Sequence, residues 1–411
     1  MSLTQKILIG MVLGIAIGST FNLIIAENTA FPFNFFSNFI DSIGKIFLSL
    51  LKLLVVPLVF FSLVVGVSNL RSSNQLASIS FKSVGLYLLT TAIAIITALA
   101  ASSFFNMANG VALETSSTFA ASAIPSLKDT FINLFPTNPV KAMAEGNMIQ
   151  IIIFALLFGY GINKLSNDNS KIKNFFSDLN NIILNIVNFI IWLSPLGVFC
   201  LIFSSFYSLG ISIIFTLINY FVVVFVVLIF HAVFTYSFLL ISFANINPLK
   251  FFLKMKETLL FAFSTSSSSA TMPITLKTVE EKLGVNKSIS SFSVPLGATI
   301  NMDGTAIMQG VATVFIAQVY QVELSLIQYL MVILTATLAS IGTAGVPGVG
   351  LIMLAMVLQQ VGLPVEGIAL IIGVDRLLDM LRTAVNVSGD AMISCVVANS
   401  EKELDRTILN S

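Results

Sequence analysis

Asp375, Arg376, Asp379, Arg382 and Asp390 put three carboxylates and two guanidiniums into a stretch otherwise apolar enough to cross a membrane. On a helix advancing about 100° per residue, Asp375, Asp379, Arg382, Thr383, Asn386 and Asp390 fall within roughly 100° of one another. They form one polar stripe about 22 Å long at 1.5 Å per residue, most of the depth of a bilayer core. A charge buried there costs several kcal/mol unless it is paired or wetted, so the stripe marks a binding site or a pathway. The structural alternative is an ion-pair ladder of Asp375, Arg376, Asp379 and Arg382. Asn386 and Asp390 continue the polar face with no basic partner, which that alternative leaves unexplained.

Three further segments carry chemistry. Ser264-Thr-Ser-Ser-Ser-Ser-Ala270 interrupts the apolar run Leu259–Thr275, and Gly342-Thr-Ala-Gly345-Val-Pro347-Gly348-Val-Gly350 interrupts Leu326–Val361. The serine run read alone is a flexible linker, and the glycines read alone serve close helix packing. Lying between apolar arms, both read better as tips, where backbone N–H groups beside a helix N-terminus make an anion site. Asn301-Met-Asp303-Gly304-Thr305 places an amide, a carboxylate and a hydroxyl in the middle of a helix expected over 288–320. Beyond a polar contact between helices, such oxygen donors without sulfur or imidazole suit a hard cation. With few carboxylates, a monovalent ion fits better than calcium. Cys200 and Cys395, about 195 positions apart, give neither a disulfide framework nor metal-ligand spacing. The one histidine, His231, lies in an apolar run and reads as a packed or interfacial side chain rather than a ligand.

The elements that must hold these groups are membrane helices. The chain has 411 residues, 56% hydrophobic and 9% charged, with a mean hydropathy of +0.98. Soluble domains carry about 25% charged residues. A net charge of +1 without a basic run gives no sign of nucleic-acid binding. The run from Ile7 to Ala26 is long enough to span a bilayer and too long for a signal peptide. Further runs predict helices near 43–69, 83–106, 148–165, 180–208 and 211–245, followed by 288–320 and 367–398. Fourteen of the 20 Lys and Arg residues cluster at Lys6, Arg71 and Lys82, Lys164 to Lys173, Lys250 to Lys256, Lys277 to Lys287, and Lys402 and Arg406. Alternate loops hold these clusters, the others only Lys45, Lys128 and Lys141, which puts both termini in the cytoplasm.

Neither interrupted segment can be one straight span, because Pro347, the glycines and the serines break it. Each reads as a hairpin that enters and leaves on one side, the first from the cytoplasm and the second from outside. The fold class is therefore an all-α polytopic membrane protein: eight transmembrane helices plus two reentrant hairpins with inverted repeats. A site at mid-depth lies between discontinuous helices. An intramembrane aspartyl protease is a competing reading for paired membrane aspartates, but its Tyr-Asp and Gly-x-Gly-Asp contexts are absent, and no enzyme is expected.

Ser266–Pro273 (SSSSATMP), Pro295–Thr305 (PLGATINMDGT), Gly342–Gly348 (GTAGVPG) and Asp379–Asp390 (DMLRTAVNVSGD) occur in this order, with Pro136–Pro139 (PTNP) and Met143–Asn147 upstream. Across essentially the whole chain they resemble the glutamate/aspartate transporter family. These are the dicarboxylate/amino acid:cation symporters that include the excitatory amino acid transporters. The resemblance implies a homotrimer in the inner (cytoplasmic) membrane, embedded in the lipid bilayer. Scaffold segments would be 1–70 and 107–208. A transport domain of 71–106 and 209–398 would move like an elevator, the second hairpin would be the extracellular gate, and 399–411 would be a cytoplasmic tail. A substrate-gated anion channel is a further competing reading, since members of that family conduct anions as a side activity.

The same resemblance assigns roles. Asp379 would receive the amino group of a substrate and Arg382 its side-chain carboxylate, a task suited to a planar fork. Thr305 and Thr383 would contact the substrate, Asn386 would bind its α-carboxylate, and backbone at Ser266, Ser268, Val346 and Gly350 would complete the cage. Having both Asp379 and Arg382 implies L-aspartate or L-glutamate. Sodium ions would be co-transported, with no cofactor, at three clusters. Gly297, Asn301, Asn386 and Asp390 form the first; Thr299, Ser340, Ile341 and Thr343 the second; Tyr87, Thr90, Thr91, Asn301 and Asp303 the third. A proton-coupled glutamate or C4-dicarboxylate symporter is the alternative. Thr91 replaces a common Ser. Gln309 stands where proton- and potassium-coupled animal relatives carry Glu. Ser266 and Met380 stand where prokaryotic and animal relatives, respectively, place an arginine.

Overall fold

Lipid offers no partner to a backbone N–H or C=O, so apolar runs of this length satisfy themselves as helices. A computed structural model describes residues 3–27, 31–68, 74–108, 135–165, 170–210, 213–340 and 345–410. Among these residues there is no strand, only one isolated antiparallel bridge between Val285 and Leu404. Five helices among the described residues are long and apolar enough to cross a membrane. Leu13, Phe81, Phe189, Trp192, Phe215 and Phe234 point outward from them and are exposed, an apolar exterior that suits a lipid surround. Arg71, Lys128 and residues 341–344 lie outside the described residues.

The first half holds α1 (Leu3–Glu27), α2 (Phe31–Ser68), α3 (Asn74–Phe104), the short α4 (Pro139–Glu145), α5 (Met148–Lys164), α6 (Ser170–Trp192) and α7 (Ser194–Leu209). The helix expected over 180–208 is in fact two, α6 and α7. Pro195 has no N–H to continue α6 and its ring crowds the preceding turn, so the chain breaks at Leu193. Gly10, Gly14 and Gly18 line α1 against α7. A Cβ at Gly10 would stand 2.5 Å from the Pro195 carbonyl oxygen, and one at Gly18 2.7 Å from that of Phe203. Backbones this close need a residue without a side chain.

The second half begins with α8, which is α-helical over Ile213–Phe230 and then passes through two π-helical turns, His231–Thr235 and Leu240–Ala244. Two helical hairpins follow. In the first, α9 (Pro248–Thr265) and α10 (Ser268–Glu281) run antiparallel, with Thr258 and Thr278 hydroxyls 2.8 Å apart and the Lys254 amine donating to the Lys282 carbonyl. In the second, α13 (Leu326–Ser340) pairs with α14 (Val349–Gln360), closed by Gln328 donating to the Val361 carbonyl at 2.8 Å. Between the hairpins lie α11 (Lys287–Ile300) and α12 (Asp303–Val319). The long α15 (Ile368–Ser400) and the short α16 (Arg406–Asn410) end the chain.

The single helix expected over 288–320 is also corrected: it breaks at Asn301–Met302, where Asn301 is extended (φ −88°, ψ 95°). No proline or glycine sits at the break. Tertiary hydrogen bonds hold it instead, because the Asn301 amide donates to the Asn386 carbonyl and to Asp390 Oδ1, each at 2.9 Å. Every residue of α12 except Gln318 is buried.

The hairpins approach α15 from opposite ends. The base of the first lies beside the C-terminal segment, where Asp405 N–H donates to the Gly284 carbonyl and the Lys254 amine to that of Ile408. The base of the second precedes the start of α15. Their tips meet midway: Ser267 Oγ donates to the Gly345 carbonyl at 2.6 Å, and the Ser269 N–H joins it at 3.2 Å.

Candidate substrate and cation site

The middle of α15 lies against the hairpin tips and the α11–α12 break. Arg382 is fully buried, and its Nη2 donates to Asp379 Oδ1 at 2.9 Å. Asp375 Oδ1 lies 3.0 Å from Nη1, within ion-pair distance but not aligned as a hydrogen bond. Arg376 Nη1 lies 3.5 Å from Asp379 Oδ2. The ladder weighed from the sequence is therefore present, and it coexists with the polar face beyond it. It still leaves Nε and Nη1 of Arg382 without a hydrogen-bond acceptor, a costly condition for a buried cation.

Those donors face the residues expected around a substrate. A Cβ at Gly350 would stand 3.1 Å from Arg382 Nη1, 3.2 Å from Met308 Cε and 3.3 Å from Thr305 Cγ2, so these groups converge. Asp379 Oδ2 accepts from the Gly348 N–H at 3.2 Å, tying the second tip to α15. Val346 is half-buried within that tip. The Thr383 hydroxyl bonds back to the Asp379 carbonyl at 2.8 Å. Asn386 Oδ1 accepts from the Gly304 N–H at 2.7 Å, and its Nδ2 donates to Met302 Sδ at 3.4 Å.

At the first tip Ser266 takes a left-handed conformation (φ 50°) that closes α9, its N–H bonded to the Ala262 carbonyl. Ser266 thus offers its carbonyl and its buried, unpartnered hydroxyl rather than its N–H. Ser268 opens α10, capped by Ser267 Oγ accepting from the Ala270 N–H at 3.1 Å. A first-turn N–H there has no intrahelical acceptor.

The first expected cation cluster is compact. Besides the Asn301 bonds to Asn386 and Asp390, the side-chain oxygen of Asn301 is buried without a partner. A Cβ at Gly297 would stand 2.5 Å from Asp390 Oδ1 and 2.7 Å from the Tyr87 hydroxyl. In the third cluster Asp303 Oδ1 accepts from Thr91 at 2.6 Å and from Thr90 at 3.3 Å. Tyr87 itself donates to the Ser293 carbonyl at 3.0 Å. In the second, Thr299 and Ser340 turn their hydroxyls back onto their own helices, to the Leu296 and Thr337 carbonyls. Ile341 and Thr343 lie outside the described residues. Hydroxyls, amides, carbonyls and single carboxylates make a hard-cation donor set. Among the described residues no group of three or more His, Cys, Asp or Glu gathers as a metal site.

Two members were not foreseen. Tyr236 donates to Asp303 Oδ2 at 2.8 Å, and His231 Nε2 lies 3.3 Å from the same oxygen. His231 is fully buried, so it is a packed side chain and not an interfacial one. Residues five apart do not share an α-helical face; the π turn between them brings both onto Asp303. Such turns are frequent at functional sites, but sequence periodicity does not announce them.

A cavity of about 40 Å³ opens on Asp375, Arg376 and Asp379, walled by Pro347 and Gly348 of the second tip and by Phe47, Ile191 and Ser194 from the first half. A water needs about 10–15 Å³ of such space, so the cavity has room for a few water molecules. The second hairpin is seated here on α2 and on the α6–α7 junction.

The model of the sodium:dicarboxylate symporter family matches residues 3–400. The chain is 32% identical over 97% of its length to the proton/sodium-glutamate symport protein of Bacillus subtilis, covering 92% of that protein. It is 33% identical to the proton/glutamate-aspartate symporter of Escherichia coli, over 98% of this chain and 94% of that one. It is 32% identical to human excitatory amino acid transporter 3, over 100% and 87%. With this match spanning both hairpins and the charged face of α15, the chain belongs to the sodium:dicarboxylate symporter family, whose members are transporters and not enzymes.

Proposed function

We propose that the chain is a sodium-coupled symporter of L-aspartate or L-glutamate working by an elevator mechanism. The observation that carries this reading is Arg382: fully buried, bonded to Asp379, with Nε and Nη1 lacking acceptors and Nη1 beside Gly350. A substrate side-chain carboxylate satisfies those donors with two charge-assisted bonds, while its ammonium group takes Asp379. Its α-carboxylate meets Asn386 and the Ser268 N–H that opens α10, where a helix N-terminus favours an anion.

Sodium at the Asn301–Asp390 and Asp303 clusters makes the loaded unit electrically tolerable in lipid. Each ion moving inward through 100 mV supplies about 2.3 kcal/mol, and several together concentrate an acidic amino acid. In this reading α1, α2 and α4 to α7 form a trimeric scaffold in the inner membrane, with eight spans, two reentrant hairpins and both termini cytoplasmic. Helix α3 and everything from α8 to α15 form the moving part.

Counterflow in proteoliposomes tests this directly, with aspartate, glutamate, succinate and serine, each with and without sodium. Sodium-dependent exchange of aspartate or glutamate, and neither succinate nor serine, is expected. The relatives' names also include protons, so a proton gradient is the second arm. Equal uptake driven by protons alone would overturn sodium coupling and leave the substrate assignment standing.

A further inference from the structure

Four charges stand in sequence on α15: Asp375 beside Arg382 (3.0 Å), Arg382 beside Asp379 (2.9 Å), and Asp379 beside Arg376 (3.5 Å). Two carboxylates meet two guanidiniums, so the set is neutral as it stands. The roles assigned to Asp379 and Arg382 leave Arg376 with none. We propose that Arg376 is a positioning residue that stands in for the substrate's ammonium group on Asp379, holding the second hairpin closed while the empty carrier returns. This rests on the proposed function, specifically on Asp379 as the receiver of the amino group.

A symporter that accumulates substrate must cross the membrane loaded and return empty, and its buried charges need partners on both journeys. When loaded, the ammonium group balances Asp379. When empty, Arg382 alone cannot balance both Asp375 and Asp379, and without Arg376 the set carries one net negative charge. The geometry adds a mechanical link. Asp379 Oδ2 accepts from the Gly348 N–H of the second tip at 3.2 Å and faces Arg376 Nη1 at 3.5 Å. One oxygen thus joins the tip and the standby cation. Arg376 also lines the small cavity between the tip and the α6–α7 junction, with Pro347, Gly348, Ile191 and Ser194 around it. It stands at the seam that must slide. Its longer reach compared with an ammonium group lets it withdraw toward that seam when substrate arrives.

The assay is the ratio of net uptake to exchange in proteoliposomes of the full chain. Net sodium-driven uptake of labelled aspartate requires empty return, whereas exchange against internal aspartate does not. In Arg376→Gln, net uptake is expected to fall about tenfold while exchange stays within about twofold, and Arg376→Lys, which keeps the charge, restores most of the loss. A general structural defect lowers both rates by one factor. Proportional losses, or no change in either rate, would overturn the assignment. Should Arg376→Gln not assemble, the same ratio measured on Arg376→Met decides. Wild-type protein that exchanges neither aspartate nor glutamate would overturn the transport reading itself, and this assignment with it; an altered ratio cannot be confused with that result.

Discussion

Gly297→Ala is the sharpest test of the Asn301–Asp390 cluster as a cation site. The added Cβ would stand 2.5 Å from Asp390 Oδ1, 2.8 Å from Asp390 Cγ and 2.7 Å from the Tyr87 hydroxyl. All three belong to buried groups, so the carboxylate must turn aside and loosen its 2.9 Å bond from Asn301. Overpacking of this kind costs about 1–3 kcal/mol, and Ala returns about 1 kcal/mol over Gly in a helix interior. The variant is thus expected to fold with stability changed by less than about 2 kcal/mol. If a cation binds against Asp390, the displacement falls chiefly on the bound state. At about 1.4 kcal/mol per factor of ten, the sodium concentration for half-maximal aspartate binding should rise about 5- to 100-fold. Gly85→Ala on α3 is the control: nothing lies within 4 Å of its Cβ, so it should gain about 0.5–1 kcal/mol of stability with its sodium curve unmoved. Equilibrium binding of labelled aspartate across a sodium series on purified protein reads both. A folded Gly297→Ala protein whose sodium curve matches the wild type would refute the cation assignment.

Arg382→Cys should abolish aspartate competition and admit serine or another neutral amino acid, because it removes the carboxylate's partner and leaves Asp379 for the ammonium group; unchanged aspartate competition would sink the substrate assignment. Tyr236→Phe removes the 2.8 Å donor to Asp303 Oδ2, a bond to a charged group worth about 1.5–3 kcal/mol. It should weaken sodium dependence without altering the choice between aspartate and serine, read by competition at several sodium concentrations. At the end of α15, Glu401 accepts from Lys82 at 2.5 Å and Ser78 at 2.9 Å, and these bonds hold its carboxyl below the usual carboxylate range. A lowered value stabilises the fold above the ordinary Glu pKa, and that contribution is lost as pH falls through the lowered value. The difference in thermal stability between wild type and Glu401→Gln should therefore be constant above about pH 5 and vanish in more acidic buffer. As an interaction near the surface it is worth about 1 kcal/mol or less.

The charged face of α15 was legible because its spacing is helical and its cost in lipid is high. Asp379, Arg382, Thr383, Asn386 and Asp390 do come together on one helix, and the serine and glycine tips do meet it. Pro195 breaks the helix at Leu193 by a local rule, although a long apolar run concealed it. The break at Asn301 follows no local rule. It exists because an amide finds a carbonyl and a carboxylate 85 and 89 positions away, and no window along the chain contains that information. His231 and Tyr236 were illegible for a different reason. At a spacing of five, they share a face only where α8 widens into a π turn, which the mostly apolar sequence around them does not signal.

The buried carboxylates fall into two sets with different consequences. Asp375 and Asp379 lie within ion-pair distance of guanidiniums on their own helix. Asp303 and Asp390 are equally buried, but among the described residues neither pairs with Lys or Arg. Asp303 is held by Thr90, Thr91, Tyr236 and His231, and Asp390 by Asn301. Hydroxyl and amide donors orient a carboxylate without cancelling its charge, and in a membrane interior that charge needs a positive partner. On α15 the positive partners belong to the helix itself, Arg376 and Arg382. Around Asp303 three hydroxyls and one imidazole replace them, and on Asp390 the Asn301 amide nitrogen does. That is the arrangement the proposed function needs: a small cation arriving with the cargo would complete these two groups in the loaded carrier and link its passage to that of the substrate.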